Sequence, residues 1–461
     1  MKKHLVIIFV LFIICIICGI WAFLSLKGND KEVQSNTKVL NGVIYDASMN
    51  VINVKTSEGL IYNFSIMDVD KSNIDDLAIG NSVMIEYSGN LNNKNDVQKI
   101  AIKKIVVKEN EKNKIPIAWN DTGIFSNYYD KAYEKLLTLS LEEKVGQLFL
   151  VRVPEQNQVS DIEKYHFGGY ILFGRDTKDQ TKESLSNTIS DYQKASKIPM
   201  IIATDEEGGT VVRISSNPNL RSSKFPSPQE VFKNGGFKSI EDTTTEMSNL
   251  LSSLGINVNL APIADVSTDS SDFIYDRAFG KDSKNTSIYI QTVISASKNK
   301  NVSYVLKHFP GYGNNKDTHT GISVDNRSLD SFEKNDFLPF EAGIKEGAES
   351  ILVSHNIITN VDNNIPASLS LKMHNILRGD LNFSGIIMTD DLAMDAISKY
   401  FDGSPTVKSI LAGNDMFIVS DYVTGYNDVM KAINDGTITE DILNHNVFRV
   451  LAWKYYKGLI K

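Results

Sequence analysis

The alternation of apolar and polar positions divides the chain into three parts. Leu5 to Leu26 is an unbroken uncharged run, with Lys2 and Lys3 before it and Lys27 after it. About 22 residues at 1.5 Å each would span roughly 33 Å, the thickness of a bilayer core. A cleavable signal has a shorter apolar region that ends in small residues. Ala22-Phe23-Leu24 makes a poor cleavage site, so residues 1–27 read as an uncleaved membrane anchor. The lysines ahead of it favour a cytoplasmic N-terminus and an exported body.

After a polar linker at 28–37, residues 38–108 break into short β-rich pieces. They are Asn41–Tyr45, Val51–Lys55, Leu60–Phe64, Ser82–Tyr87 and Lys99–Lys103, punctuated by Gly, Asn and Asp as in hairpins. Five or six strands in so short a stretch predict a small β-barrel module, OB- or SH3-like. No chemical constellation falls there, and a spacer or wall-contact role is the simpler expectation. A second charged linker covers 109–119.

From 120 to 461 the pattern changes again. Continuous apolar runs occur at Gln147–Val151, Gly169–Phe173, Met200–Ala203, Asn257–Ala261, Val302–Lys307, Ser350–Ser354, Gly385–Thr389 and Met416–Val419. Helix-like stretches such as Lys182–Lys197, Glu241–Leu254, Thr286–Lys298 and Thr439–Tyr456 separate or follow them. Unalternating apolar runs between helices are the mark of parallel strands buried on both faces. Eight of them predict an α/β fold, a (β/α)8 TIM-type barrel. A doubly wound open sheet is the rival, but neither a G-x-G-x-x-G nor a Walker sequence is present.

Composition narrows the function. A net charge of −8 and no basic cluster outside the first residues exclude a generic nucleic-acid partner. Both cysteines, Cys15 and Cys18, lie inside the N-terminal run, so the body carries no disulfide or thiolate site. Ile17 stands before Cys18 where lipid-attachment signals carry a small residue, which disfavours lipidation. No cofactor is implied, and the histidines are accompanied by cations rather than clustered carboxylates, so no metal cage is expected.

The polar residues then collect where a barrel keeps its active site, after the strands. The third run is followed by Asp205-Glu206-Glu207-Gly208-Gly209 and Arg213, the fourth by Asp265 and Asp276-Arg277, and the fifth ends in Lys307-His308. The sixth ends in His355-Asn356 and the seventh in Asp390-Asp391. Singly, each has a plain structural reading: Asp390 or Asp391 as a helix cap, Arg213 or Arg277 in a surface ion pair, His355 as a satisfied barrel histidine. Together they would bury too many charges unless paired or serving a polar ligand. Lys307 to His319 is the densest stretch, a cationic pair at a strand end followed by a Gly-rich loop with Asp317-Thr318-His319. It suits a polar substrate site joined to a proton-transfer device.

These segments resemble the family 3 glycoside hydrolases, and within them the single-domain β-N-acetylglucosaminidases. The resemblance covers about Leu139 to Lys461. It is carried by Asp205–Gly209, Asn259–Pro262, Asp276–Gly280, Lys307–Gly311 with the following Asp-x-His, Pro366–Ser370 and Thr389–Leu392. It implies a retaining mechanism with Asp390 as nucleophile, His319 as acid/base and Asp317 orienting it. Asp205, Arg213, Arg277, Lys307 and His308 would bind the terminal sugar, N-acetylglucosamine, in peptidoglycan or muropeptide glycans. The family commonly has His, Asp, Ser and Gln where Tyr312, Asn314, Thr318 and Glu206 stand. Glu206 is expected to add negative charge near the site, and Tyr312 and Asn314 to change how the loop docks. Three rivals remain: a β-glucosidase-like specificity, phosphorolysis, and a non-catalytic wall-binding protein.

Overall fold

The computed structural model describes residues 37–461 except 48–50, 57–58, 68, 70–76, 78–79, 92–96, 99, 109–114, 117–118, 299, 316, 319–320 and 399–400. The expected anchor and His319 therefore lie outside the described residues. Among the described residues no helix is long and apolar enough to cross a membrane. The chain forms two compact units, one from Ile61–Glu109 with the chain through Val54, the other from Asn110–Lys461 with Lys55–Leu60.

The first unit contains β1 (Lys38–Ala47), β2 (Val51–Lys55), β3 (Ile61–Ser65), β4 (Ser82–Ser88), β5 (Val97–Gln98) and β6 (Ala101–Lys108). Their order in the sheet is β5-β3-β2-β1-β4-β6. The two edge strands, β5 and β6, are neighbours in sequence. β3 pairs with β5 in parallel, and β4 pairs with β1 and β6 antiparallel, an OB-like connectivity. Burial alternates along β2 and β4, with Ile52, Val54, Val83, Ile85 and Tyr87 turned into one apolar cluster.

The second unit is built on β7 (Phe149–Arg152), β8 (Gly169–Leu172), β9 (Ile201–Thr204), β10 (Val258–Asn259), β11 (Ser303–Phe309), β13 (Ser350–Val353), β15 (Ile386–Thr389) and β16 (Phe417–Val419). Every pairing between them is parallel, in the order β15-β13-β11-β10-β9-β8-β7-β16. A parallel bridge between Met388 and Met416 joins the two ends and closes the barrel. A separate two-residue pairing, β12 (Val324–Asp325) with β14 (Ile357–Ile358), lies outside it. The strands are almost wholly buried, which is why they read as unbroken apolar runs.

The helices between them carry their own start signals. Ser227 and Glu230 form a capping box ahead of Pro228–Ser253, with Pro228 in the first turn. That helix begins earlier than the expected Glu241–Leu254 and kinks at Gly235–Gly236. Glu440–Tyr456, capped by Thr439, ends the barrel.

Candidate active site

Asp205 follows β9, Asp265 and Arg277 follow β10, Lys307 and His308 lie near the end of β11, and Asp390 follows β15. All of these ends point the same way, because the barrel is parallel. Along β11 the register shifts between Leu306 and Phe309. Such an irregularity re-aims side chains, and the consecutive residues Lys307 and His308 both bond to groups at the mouth.

Lys307 Nζ donates to Asp205 Oδ1 and to Glu207 Oε1, each at 2.7 Å. Arg277 grips Glu207 with two parallel bonds, Nε to Oε2 at 2.9 Å and Nη2 to Oε1 at 2.8 Å. Burial would push the Glu207 carboxyl up, but Arg277 and Lys307 override it and hold it well below the carboxylate range. Burial would likewise strip the Lys307 proton, yet Asp205 and Glu207 keep its pKa above the ordinary lysine value. Arg213 Nη2 stands 4.0 Å from Asp205 Oδ2, and its Nε is buried without a partner. The cluster is thus charge-compensated yet keeps an unused donor.

The turn that makes this possible is Gly208-Gly209, both in the left-handed region at φ +90° and +65°. A Cβ on Gly208 would lie 2.3 Å from Pro226 O. The chain folds back there, so Glu207 N reaches Val211 O and Arg213 returns toward Asp205.

His308 Nδ1 is 2.8 Å from Asp265 Oδ2, and its amide donates to the same oxygen at 2.9 Å. A carboxylate accepts and the Arg277 guanidinium, 3.4 Å from Nε2, can only donate. The neutral ring therefore carries its proton on Nδ1. Asp265 also accepts from Tyr312 N at 2.8 Å.

Around Asp390 the turn is fixed by its neighbours. Asp390 N donates to Val353 O, and Asp391 N to Asp390 Oδ1 at 2.8 Å. Asp391 Oδ1 accepts from Ala393 N at 2.9 Å within the turn, four residues before the helix Asp395–Ser398, so Asp391 braces the turn and does not cap that helix. His355 Nε2 donates to Asp391 O at 3.0 Å while Nδ1 faces Ser368 Oγ at 2.7 Å. So His355 supports the turn.

The sequence reading placed Asp205, Arg213, Arg277, Lys307 and His308 together, and the structure brings them to one mouth. Asp317 is described and has partners; His319 is outside the described residues. The expectation for Glu206 changes. It is fully buried and accepts from the amides of Arg213, Ile214 and Ser215 at 2.9, 2.7 and 3.2 Å. Burial raises its pKa despite those bonds. It pins the segment carrying Arg213 from below the mouth. Sequence reasoning did not assign Glu207 or Asp265, although both lie in the quoted strand-end segments. It missed Arg152, whose guanidinium lies 4.1 Å over the Phe173 ring and 3.5 Å from Asp391 Oδ2. Nothing in the local sequence signals that contact.

A parallel barrel whose strand ends gather compensated charges around a spare donor is the arrangement of an α/β-barrel enzyme with a polar ligand. The chain belongs to glycosyl hydrolase family 3: residues 140–453 match the model of the glycosyl hydrolase family 3 N terminal domain, and it is a glycoside hydrolase. It is 30% identical to β-hexosaminidase LpqI of Mycobacterium tuberculosis over 332 residues, 68% of this chain and 83% of that protein. It is 29% identical to a β-hexosaminidase of Methylococcus capsulatus over 59% of this chain and 80% of the relative. Among solved structures, a family 3 β-N-acetylglucosaminidase from Paenibacillus sp. str. FPU-7 superposes with a TM-score of 0.65 at 25% identity, over 70% of this chain and 63% of that one.

Proposed function

We propose that the protein is an exported, membrane-anchored, retaining β-N-acetylglucosaminidase that removes terminal N-acetylglucosamine from peptidoglycan or its fragments. The observation that carries this reading is the position of Asp390 at the end of β15, beside a mouth already furnished with Asp205, Arg213, Arg277, Lys307 and His308. The β-hexosaminidase relatives support the sugar. The uncharged Leu5–Leu26 run supports the anchor.

In the first step the Asp390 carboxylate attacks the anomeric carbon. The bond to the leaving oxygen breaks, and that oxygen takes a proton from His319. In the second step His319 takes a proton from water, whose oxygen attacks the anomeric carbon and frees Asp390. Most retaining enzymes use two carboxylates about 5–5.5 Å apart. A histidine serves here because its ordinary pKa of about 6.5 lies near the working range. Asp317, two residues before it, orients the ring. Asp205 accepts from sugar hydroxyls, and the cations donate to hydroxyls and the acetamido oxygen.

The test is incubation of the protein with purified peptidoglycan fragments and with aryl glycosides. Free N-acetylglucosamine is expected, with aryl N-acetylglucosaminide preferred over aryl glucoside. Preference for the glucoside would overturn the sugar assignment, and sugar 1-phosphate on adding phosphate would make the enzyme a phosphorylase. Asp390→Ala should lower kcat by more than about 10³-fold, on the scale of losing a catalytic nucleophile. Near-wild-type turnover in that variant would remove Asp390 from the mechanism.

A further inference from the structure

The segment after β11 is held at both ends by groups outside the proposed chemistry. At its start the Tyr312 amide is tied to Asp265, and Asn315 Nδ2 donates to Tyr312 O at 2.8 Å. At its far end Arg327 pairs with Asp325 and Asp336, each at 2.8 Å. Between these anchors lies Thr318, which is fully buried. Its Oγ1 is 2.6 Å from the Tyr312 hydroxyl, and its carbonyl accepts from Ala396 N at 3.4 Å. Ala396 belongs to the short helix Asp395–Ser398, just past Asp390. Thr318 is also the middle residue of Asp317-Thr318-His319.

Tyr312 joins the two halves of the mouth. Its ring is 1% exposed and meets the rings of His308 and Phe273 edge-on, at 5.1 and 4.8 Å between centroids. Burial, and after it the charge of Asp390, holds its phenol well above the usual tyrosine value. The hydroxyl therefore stays protonated beside the proposed nucleophile. The two positions that depart from the family's usual His and Ser, 312 and 318, are thus in direct contact.

We propose that Tyr312 is a positioning residue for acid/base catalysis: through Thr318 its hydroxyl fixes the chain at Asp317-Thr318, just ahead of His319, against the helix Asp395–Ser398 that follows Asp390. The inference rests on the acid/base reading of His319. Tyr312→Phe keeps the ring and its packing and removes one hydrogen bond. The readout is a series of N-acetylglucosaminides with leaving groups from dinitrophenol to simple alcohols. General acid catalysis contributes about 10²–10⁴-fold, and only where the leaving group needs a proton. Tyr312→Phe should lose about 10–30-fold in kcat on alkyl glycosides and less than about 3-fold on the dinitrophenyl glycoside, with KM little changed.

Thr318→Val should behave alike, Thr318→Ser should restore most of the rate, and the double variant Tyr312→Phe/Thr318→Val should be no worse than either single change, since both break one bond. A uniform loss across leaving groups, or additive loss in the double variant, overturns the proposal. His319→Ala is the control. A steep response there beside a flat one in Tyr312→Phe sinks the tether alone, whereas a flat His319→Ala response removes the acid/base reading and the tether with it.

Discussion

Lys307 and Lys454 are both buried, at 3% and 0% exposure, at opposite ends of the same barrel. Their surroundings are opposites. Lys307, at the C-terminal strand ends, meets two carboxylates and keeps its proton more firmly than a free lysine. Lys454, on the helix Glu440–Tyr456, meets among the described residues an amide, Gln147 Oε1 at 2.6 Å, and no carboxylate, and burial lowers its pKa to about 7. Gln147 also donates to His166 O, so this contact belongs to the segments leading into β7 and β8. At the mouth charge is assembled and compensated, as a polar ligand requires. At the base a lone amine is a packing element. This matches the division of barrels into a functional top and a structural bottom.

The largest expected effect comes from breaking the compensation at the mouth. Glu207→Gln leaves the Arg277 guanidinium and Lys307 short of a buried countercharge, which should cost about 3–5 kcal/mol of stability. Displacement of the proposed sugar ligands should also lower kcat/KM by about 10²-fold. The pH dependence follows from the depressed carboxyl. Its contribution is fully present above the ordinary glutamate value of 4.5 and is lost only as pH falls through the lower folded value. The stability gap between wild type and Glu207→Gln, measured by denaturant unfolding, should be flat above about pH 5 and shrink below pH 4.5. A gap independent of pH would mean that Glu207 does not act as a paired anion.

Asp205→Asn sharpens the same contrast with a smaller change. Lys307 keeps its bond to Glu207, so the melting temperature should move little. The proposed charged acceptor for sugar hydroxyls is lost, worth about 1.5–3 kcal/mol, or roughly 10–150-fold in kcat/KM. A fall in stability as large as that of Glu207→Gln would assign Asp205 to the scaffold instead.

The mouth and the strands were legible in the sequence to different depths. All eight barrel strands fall on the apolar runs, because burial on both faces removes polar positions from each run. Asn257–Ala261 shortens to Val258–Asn259, where Ala261 N turns back to Asn259 O and Pro262 has no amide to donate. The β12–β14 pair escaped notice because two-residue strands are too short to show a period. Asp205, Lys307 and His308 were readable as polar residues closing apolar runs. Glu207 was not, because its role depends on the Gly208-Gly209 turn that returns the chain. Arg152 beside Asp391 joins the first barrel strand to the seventh, a contact only barrel closure creates. The partners of His355, Ser368 and the Asp391 carbonyl, are likewise set by the fold.

The smallest effect is expected at the base, and it has the opposite sign. Lys454→Met replaces a buried amine by an apolar chain of similar length, at the cost of the Gln147 bond. In the folded protein the amine is neutral above about pH 7, while in the unfolded chain it holds its proton up to about 10.5. Between those values the unfolded state binds more protons, so wild-type stability rises with pH across that window and is flat below it. Lys454→Met removes this handicap. Its melting temperature should exceed that of wild type at pH 6–7, and the advantage should shrink as pH approaches 10. Glycosidase kinetics should stay as they are, since no group at the mouth is touched. A variant that is less stable at every pH would show that the Gln147 contact outweighs the burial of the amine, and the two ends of the barrel would then differ less than their lysines suggest.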